Sequence, residues 1–268
     1  MSQITILLLY LLAAVAFAMS RLPRFGEWVQ PSIVAAFAFG VAGLVAHALY
    51  LNAEIYPDTG LILSISSTMS LVGLQLALIG LLGAIEPTLR GMTAGLLLLA
   101  AIVTIPLGTQ AATAVSSDLT WQIQAHILIS IFSYGLLAVG AIVAVYALIQ
   151  DKRLRTGQLT SGNHLFAPLE TTEKLLFGVA SAGFAGLLLS VVSGFTFIED
   201  LFAQHLVHKT ALSLLALLMF GILVAGRQFA GWRGKRAVYL YLLGFVTLCL
   251  AYFGSRFILE EILGRSWS

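Results

Sequence analysis

Eight long apolar runs constrain the fold of this chain more than any other feature of its sequence. Hydrophobic residues make up 59% of the 268 and the mean hydropathy is +0.98, which is more apolar surface than a water-soluble domain can bury. A hydrocarbon core of about 30 Å takes about 20 helical residues to cross, and separate runs can cross it only as helices. We therefore predict an all-α fold, a polytopic membrane helical bundle with eight transmembrane helices in a single integral membrane domain, residues 1–268. The runs are Ile4–Met19, Ile33–Leu51, Leu61–Ile85, Met92–Leu107, Ile123–Ile149, Leu175–Ile198, Ala211–Ala225 and Val238–Phe257.

The distribution of basic residues predicts the orientation of these helices. Eleven of the fourteen Lys and Arg residues lie in the odd-numbered connections, and three lie in the even ones or at the C-terminal end. Because cytoplasmic loops are enriched in Lys and Arg, we expect both termini on the outer side of a bacterial inner membrane. No basic residue precedes the first run, and Arg21 and Arg24 follow it, so we expect a retained helix rather than a cleaved signal peptide.

Several classes of protein are excluded or disfavoured by composition. A formal charge of +2 does not indicate a nucleic-acid partner, and we predict none. The single cysteine, Cys249, cannot form an internal disulfide, and no C-x-x-C-H is present, so the chain is not itself a c-type cytochrome. No nucleophile and base stand together, and Glu199-Asp200 is more typical of a capping loop than of an acid–base pair. We therefore predict no catalytic residues.

Four of the five histidines fall at one predicted level, near the outer face: His47, His126, His205 and His208. The fifth, His164, lies in a polar connection that is predicted to be cytoplasmic. Neutral imidazole binds zinc, copper and iron well. A mononuclear zinc site usually needs three or four protein ligands, whereas haem iron needs only two axial ones. Haem is thus a candidate cofactor, with His126 and His208 as candidate axial ligands.

Two cations near the same level could pair with haem propionates, namely Lys209 and Arg256. The alternative is that Lys209 and His208 extend toward the interface, and that Arg256 pairs with Glu260 at i,i+4.

Polar or small residues recur on one side of three spans. They could line a ligand site or pack helices closely together. They are Ser64, Thr68 and Gln75 in span three, His126, Ser130, Ser133 and Tyr134 in span five, and Ala182, Gly186, Ser190 and Gly194 in span six.

The segment His126–Tyr134, HILISIFSY, resembles the histidine helix of the CcsA/CcmC-type cytochrome c assembly family, which handles haem. The stretch from Lys209 to the G-W-R-G-K of residues 231–235 is similar to another motif of that family, with Arg227 on the family's arginine. The segments Pro168–Phe177 and Ala251–Arg256 resemble its compact YpjD-like branch. The resemblance covers roughly residues 121–265.

This resemblance implies haem near the outer face, with His126 as one ligand, and haem-delivery or cytochrome assembly proteins as partners besides membrane lipid. The family's outer tryptophan-rich motif is replaced here by Phe195–His208, and its second external histidine has no counterpart near Leu263. The resemblance therefore does not extend to full cytochrome c synthetase activity. The second axial ligand is left to His208, His205 or His47, and we favour His208 because it adjoins the matched Lys209.

Two other functions remain open at the level of sequence. A haem-free membrane scaffold or assembly factor would tolerate loss of His126. A small-molecule transporter would use the span-three residues Ser64, Thr68 and Gln75, although no span carries a charge at mid-membrane.

Overall fold

A computed structural model describes residues 2–56, 65–105, 120–157, 167–197 and 207–251 of the chain. Within these ranges the structure is all-helical, as predicted, and each apolar run corresponds to one α-helix. The helices are α1 (Gln3–Met19), α2 (Val29–Ile55), α3 (Ile65–Gly83), α4 (Arg90–Val103), α5 (Trp121–Arg155), α6 (Leu169–Phe197), α7 (Val207–Ala230) and α8 (Lys235–Cys249).

Five segments of the described chain are long and apolar enough to cross a membrane. They are Pro23–Ile55, Ser66–Gly83, Trp121–Arg155, Leu169–Phe197 and Lys209–Ala230. By contrast, α1 has 17 residues and α4 has 14. At 1.5 Å per residue these two helices extend about 21–26 Å, which is less than a core of about 30 Å. The apolar run of α8 continues beyond residue 251, outside the described residues.

Residues 1–119 and 149–175 form one compact unit, here called unit 1. In it, α1 packs on α2 and α4, and α3 packs on the same two helices. Close approach depends on glycine at two points: a Cβ at Gly43 would lie 2.9 Å from the ring of Tyr10, and one at Gly40 would lie 2.6 Å from Leu81.

Residues 120–148 and 176–268 form the second compact unit, unit 2, which contains most of α5 and α6 together with α7 and α8. Tyr241 of α8 reaches across to α5 and donates a hydrogen bond of 2.9 Å to the carbonyl oxygen of Leu137. The same ring packs edge-on against Phe220 of α7, with centroids 5.2 Å apart, and Phe184 of α6 lies against Gly221. Large aromatic side chains thus connect the four helices of this unit.

The connection between α7 and α8 is a tight corner built by Gly231 and Gly234. Both have positive φ, 63° and 69°, a conformation that glycine adopts without the strain of a Cβ. The Trp232 N–H closes the corner on the carbonyl oxygen of Gly226 at 3.0 Å. Arg227 supports it by donating to the Trp232 carbonyl at 3.2 Å and by lying 4.5 Å above the ring of Phe177.

Candidate functional site

The candidate site of unit 2 lies where the first turns of α5 face the last turns of α6. His126 stands one turn into α5, and its half-buried imidazole places Nδ1 2.9 Å from Oγ of Ser193 on α6. One turn further along, Oγ of Ser130 lies 2.6 Å from Oγ of Ser190 and donates to the carbonyl oxygen of His126 at 2.6 Å. One imidazole–hydroxyl contact and one hydroxyl pair therefore connect these two helices at the level of the histidine.

Small residues on α6 allow this close approach. A Cβ at Gly194 would lie 3.2 Å from Cε1 of His126, and a Cβ at Gly183 would lie 2.6 Å from the side chain of Leu137. Gly186 faces Ser133 even more closely. Three members of the span-six series, Gly186, Ser190 and Gly194, thus face α5, in agreement with the helix-packing interpretation of that pattern. The fourth member, Ala182, is exposed, and Gly183 faces α5 at that level.

The two ring nitrogens of His126 differ in their hydrogen-bond partners. Nδ1 is hydrogen-bonded to Ser193, whereas no side chain within the described ranges bonds to Nε2. A histidine that ligates a metal almost always uses its other ring nitrogen to bond a neighbouring group. The ring of His126 is therefore held in the way that a metal-ligating imidazole is held.

Lys209, in the first turn of α7, belongs to the same compact unit and lies within electrostatic range of the His126 ring. His208 precedes it as the second residue of α7. The structure thus brings the start of α7 into the unit that carries His126. His205 and Arg256, the other candidates predicted on this side, lie outside the described residues.

His47 occupies a different environment, in unit 1. It is fully buried in α2, with Nδ1 3.1 Å from the Tyr10 hydroxyl of α1 and Nε2 2.8 Å from the Ser70 hydroxyl of α3. Both nitrogens are engaged, so in this arrangement neither presents a lone pair to iron. These contacts connect three helices, which is a packing role.

The span-three stripe is only partly within the described ranges. Ser64 lies outside them. Thr68 lies in α3 and has a bonding or electrostatic partner of its own. Gln75 is 3% exposed, and neither its amide nitrogen nor its amide oxygen has a hydrogen-bond partner among the described residues.

No group of three or more His, Cys, Asp or Glu side chains in the described ranges could hold a metal ion by itself. Ser193 and Ser190 are the residues of this site that the histidine pattern alone did not identify. The period of four in span six pointed to Ser190, but nothing in the sequence pairs Ser193 with His126.

Comparison with known proteins relates the whole chain to one family. A family model described as cytochrome c assembly protein matches residues 7–263. The chain is 31% identical over 268 residues to the inner membrane protein YpjD of Escherichia coli strain K12, covering 94% of this chain and 98% of that protein. It is 23% identical over 159 residues to the cytochrome c biogenesis protein CcsA of Guillardia theta, covering 53% of each chain. No solved structure matches it significantly.

Proposed function

Because this chain belongs to the cytochrome c assembly protein family and to its YpjD-like branch, we propose that it binds haem by histidine near the outer membrane face. The chain is a multi-pass protein of the inner membrane. Membership of the family suggests a haem-related membrane function. In this proposal His126 supplies an axial bond to the haem iron.

The single observation that carries this proposal is the state of the His126 ring. It is half-buried among apolar helices, its Nδ1 is bonded to Ser193, and its Nε2 has no side-chain partner within the described residues. Iron requires a neutral imidazole with a lone pair on one nitrogen, and hydrogen bonding at the other nitrogen fixes which one that is. The donor chemistry at this position therefore fits haem.

We assign the second axial bond to His208. His205 is the next candidate, and His47 is the last. His208 is preferred because it shares unit 2 with His126 and adjoins Lys209. The positive charge of Lys209, together with that of Arg256, would offset the charge of the haem propionates. His47 ranks last because Tyr10 and Ser70 already occupy its two nitrogens.

We further propose that all eight helices span the membrane as one integral domain, with both termini on the outer side. In that orientation the start of α5 and the start of α7 both lie at the outer level. Bound haem would supply a redox-active iron that can exchange ligands. The chain itself binds and orients the cofactor, with no catalytic group assigned. Its partners would be membrane lipid and haem-delivery or cytochrome assembly proteins.

An absorption spectrum of detergent-purified protein supplemented with haem tests the proposal. We expect a Soret band of bound haem in the wild type, its loss in His126→Ala, and altered coordination bands in His208→Ala. His164→Ala is the matched control, because His164 is the one histidine predicted on the cytoplasmic side. A wild type that binds no haem would support a haem-free scaffold instead. A His126→Ala variant with an unchanged spectrum would remove His126 from the site.

A further inference from the structure

Serine hydroxyls of α5 and α6 form several hydrogen bonds around His126. Oγ of Ser193 lies 2.9 Å from Nδ1 of His126 and 2.9 Å from the carbonyl oxygen of Ser190. Ser130 and Ser190 form the next pair along the two helices. The hydroxyl of Ser193 thus stands between one ring nitrogen and one backbone oxygen.

The chemistry of these groups determines where the protons lie. A carbonyl oxygen can only accept, so the Ser193 hydroxyl satisfies both contacts only when it donates to Ser190 and accepts from His126. The ring must then carry its proton on Nδ1. In a neutral imidazole this leaves the lone pair on Nε2.

The backbone helps to hold the ring in this orientation. Gly194 places no side chain against the imidazole, and a Cβ there would lie 3.2 Å from Cε1. In addition, Ser130 donates to the carbonyl oxygen of His126 itself at 2.6 Å. The ring and its backbone are thus both in contact with these small residues.

From this geometry we infer that Ser193 is a positioning residue that fixes His126 in its Nδ1-protonated tautomer and so presents the Nε2 lone pair to a metal. As a statement about haem, the inference rests on the proposed function. Groups that bond the outer nitrogen of a ligating histidine typically change metal affinity about 10–100-fold when they are removed. Ser193 therefore tunes the strength of the His126 bond without touching the iron.

The first test uses haem-free protein and so does not depend on haem binding. Nitrogen NMR of ¹⁵N-histidine-labelled protein in detergent separates protonated from unprotonated ring nitrogens, and the His126→Gln spectrum identifies the His126 signals. We expect a protonated Nδ1 and an unprotonated Nε2 in the wild type, and a mixture of tautomers in Ser193→Ala. A wild type protonated on Nε2 would overturn the inference, whatever its affinity for haem.

The second test measures haem affinity by titration. We expect Ser193→Ala to bind haem about tenfold or more weakly, and Ser193→Thr to restore most of the affinity because it keeps a hydroxyl. Thr196→Ala is the matched control, since among the described residues the Thr196 hydroxyl bonds to backbone carbonyls of its own helix, those of Val192 and Ser193. Equal affinities of Ser193→Ala and wild type would overturn the positioning role. A wild type without affinity would instead overturn the proposed function and leave the tautomer to the NMR result.

Discussion

Two glutamines of unit 1, Gln75 and Gln150, differ in whether their side-chain amides are hydrogen-bonded. Both are buried, at 3% and 5% exposure. Gln75 has no hydrogen-bond partner among the described residues. The amide of Gln150 donates to the carbonyl oxygen of Ala167, and its oxygen accepts from the Thr172 hydroxyl at 3.2 Å. A buried polar group without a partner costs its full desolvation penalty, whereas a bonded one recovers it.

We therefore expect Gln75→Met to raise the free energy of unfolding by about 1–3 kcal/mol, because it removes an unsatisfied amide at nearly constant volume. Gln150→Met should lower it by a similar amount, since two buried hydrogen bonds are lost. Thermal unfolding of both variants in the same detergent measures the contrast. A lower stability of Gln75→Met than of wild type would mean that this amide has a partner in the membrane-embedded protein.

Hydropathy predicts how deep in the membrane a residue of a spanning helix lies. It does not predict in which direction around the helix axis that residue points. The sequence placed His47 and His126 at one depth, which is a statement about distance along α2 and α5. Their partners depend on how each helix is rotated. His47 contacts Tyr10 and Ser70, which are 37 and 23 residues away in the chain, and no periodicity within α2 could reveal that pairing.

At the scale of whole elements, the helices themselves could be predicted well. Each apolar run contains a helix because a segment in lipid must satisfy its backbone N–H and C=O groups by hydrogen bonds within the segment. Helix ends could be predicted less well, because they depend on polar flanks that add no hydropathy. The run ending at Ile149 continues as helix to Arg155, where Arg155 pairs with Asp151 at 3.0 Å.

The contact between α5 and α6 shows which part of the site could be predicted. Of the small residues that repeat every four positions, Gly186, Ser190 and Gly194 lie on the face of α6 that packs on α5, whereas Ala182 is exposed. The hydrogen bond between His126 and Ser193 could not be predicted, because it depends on the register between two helices and joins residues 67 apart in the chain. Spacing within one helix determines a face, but register between helices determines which side chains meet.

Two glycines of α6 separate the packing effect from the effect of helix propensity. A Cβ at Gly194 would press on His126 at 3.2 Å, whereas a Cβ at Gly178 meets nothing within 4 Å. Replacing glycine by alanine in a helix interior is worth up to about 1 kcal/mol in propensity. We expect Gly178→Ala to raise the midpoint of thermal unfolding and leave haem affinity unchanged.

Gly194→Ala should lose most of that gain in stability, because the imidazole or the α6 backbone must shift by a few tenths of an ångström. It should also weaken haem binding severalfold, since the ring is displaced from its bond to Ser193. Unfolding midpoints and haem titrations of the two variants provide the comparison. If the two alanine variants behaved alike, the ring would not depend on the small residue beside it.

For the whole molecule, the uneven distribution of charge is the strongest constraint on its orientation. Net charge has little influence, because it is only +2. The basic residues at the end of α5, Lys152, Arg153 and Arg155, are typical of a cytoplasmic helix end. The short helices α1 and α4 can still span the membrane if flanking residues complete the crossing or the bilayer thins locally.

Single-cysteine labelling in spheroplasts tests this orientation. In a Cys249→Ser background, a membrane-impermeant maleimide should label Ser2→Cys in intact spheroplasts, because the proposed topology places the N-terminus outside. It should label Thr156→Cys only after the membrane is permeabilised, since the same topology places the end of α5 in the cytoplasm. Labelling of both variants after permeabilisation is the control for reactivity. The reverse pattern would invert the topology and place His126 near the cytoplasmic face. If both positions were labelled in intact spheroplasts, or if both were protected, they would lie on the same side of the membrane. The segment from α1 to α5 would then cross the membrane an even number of times.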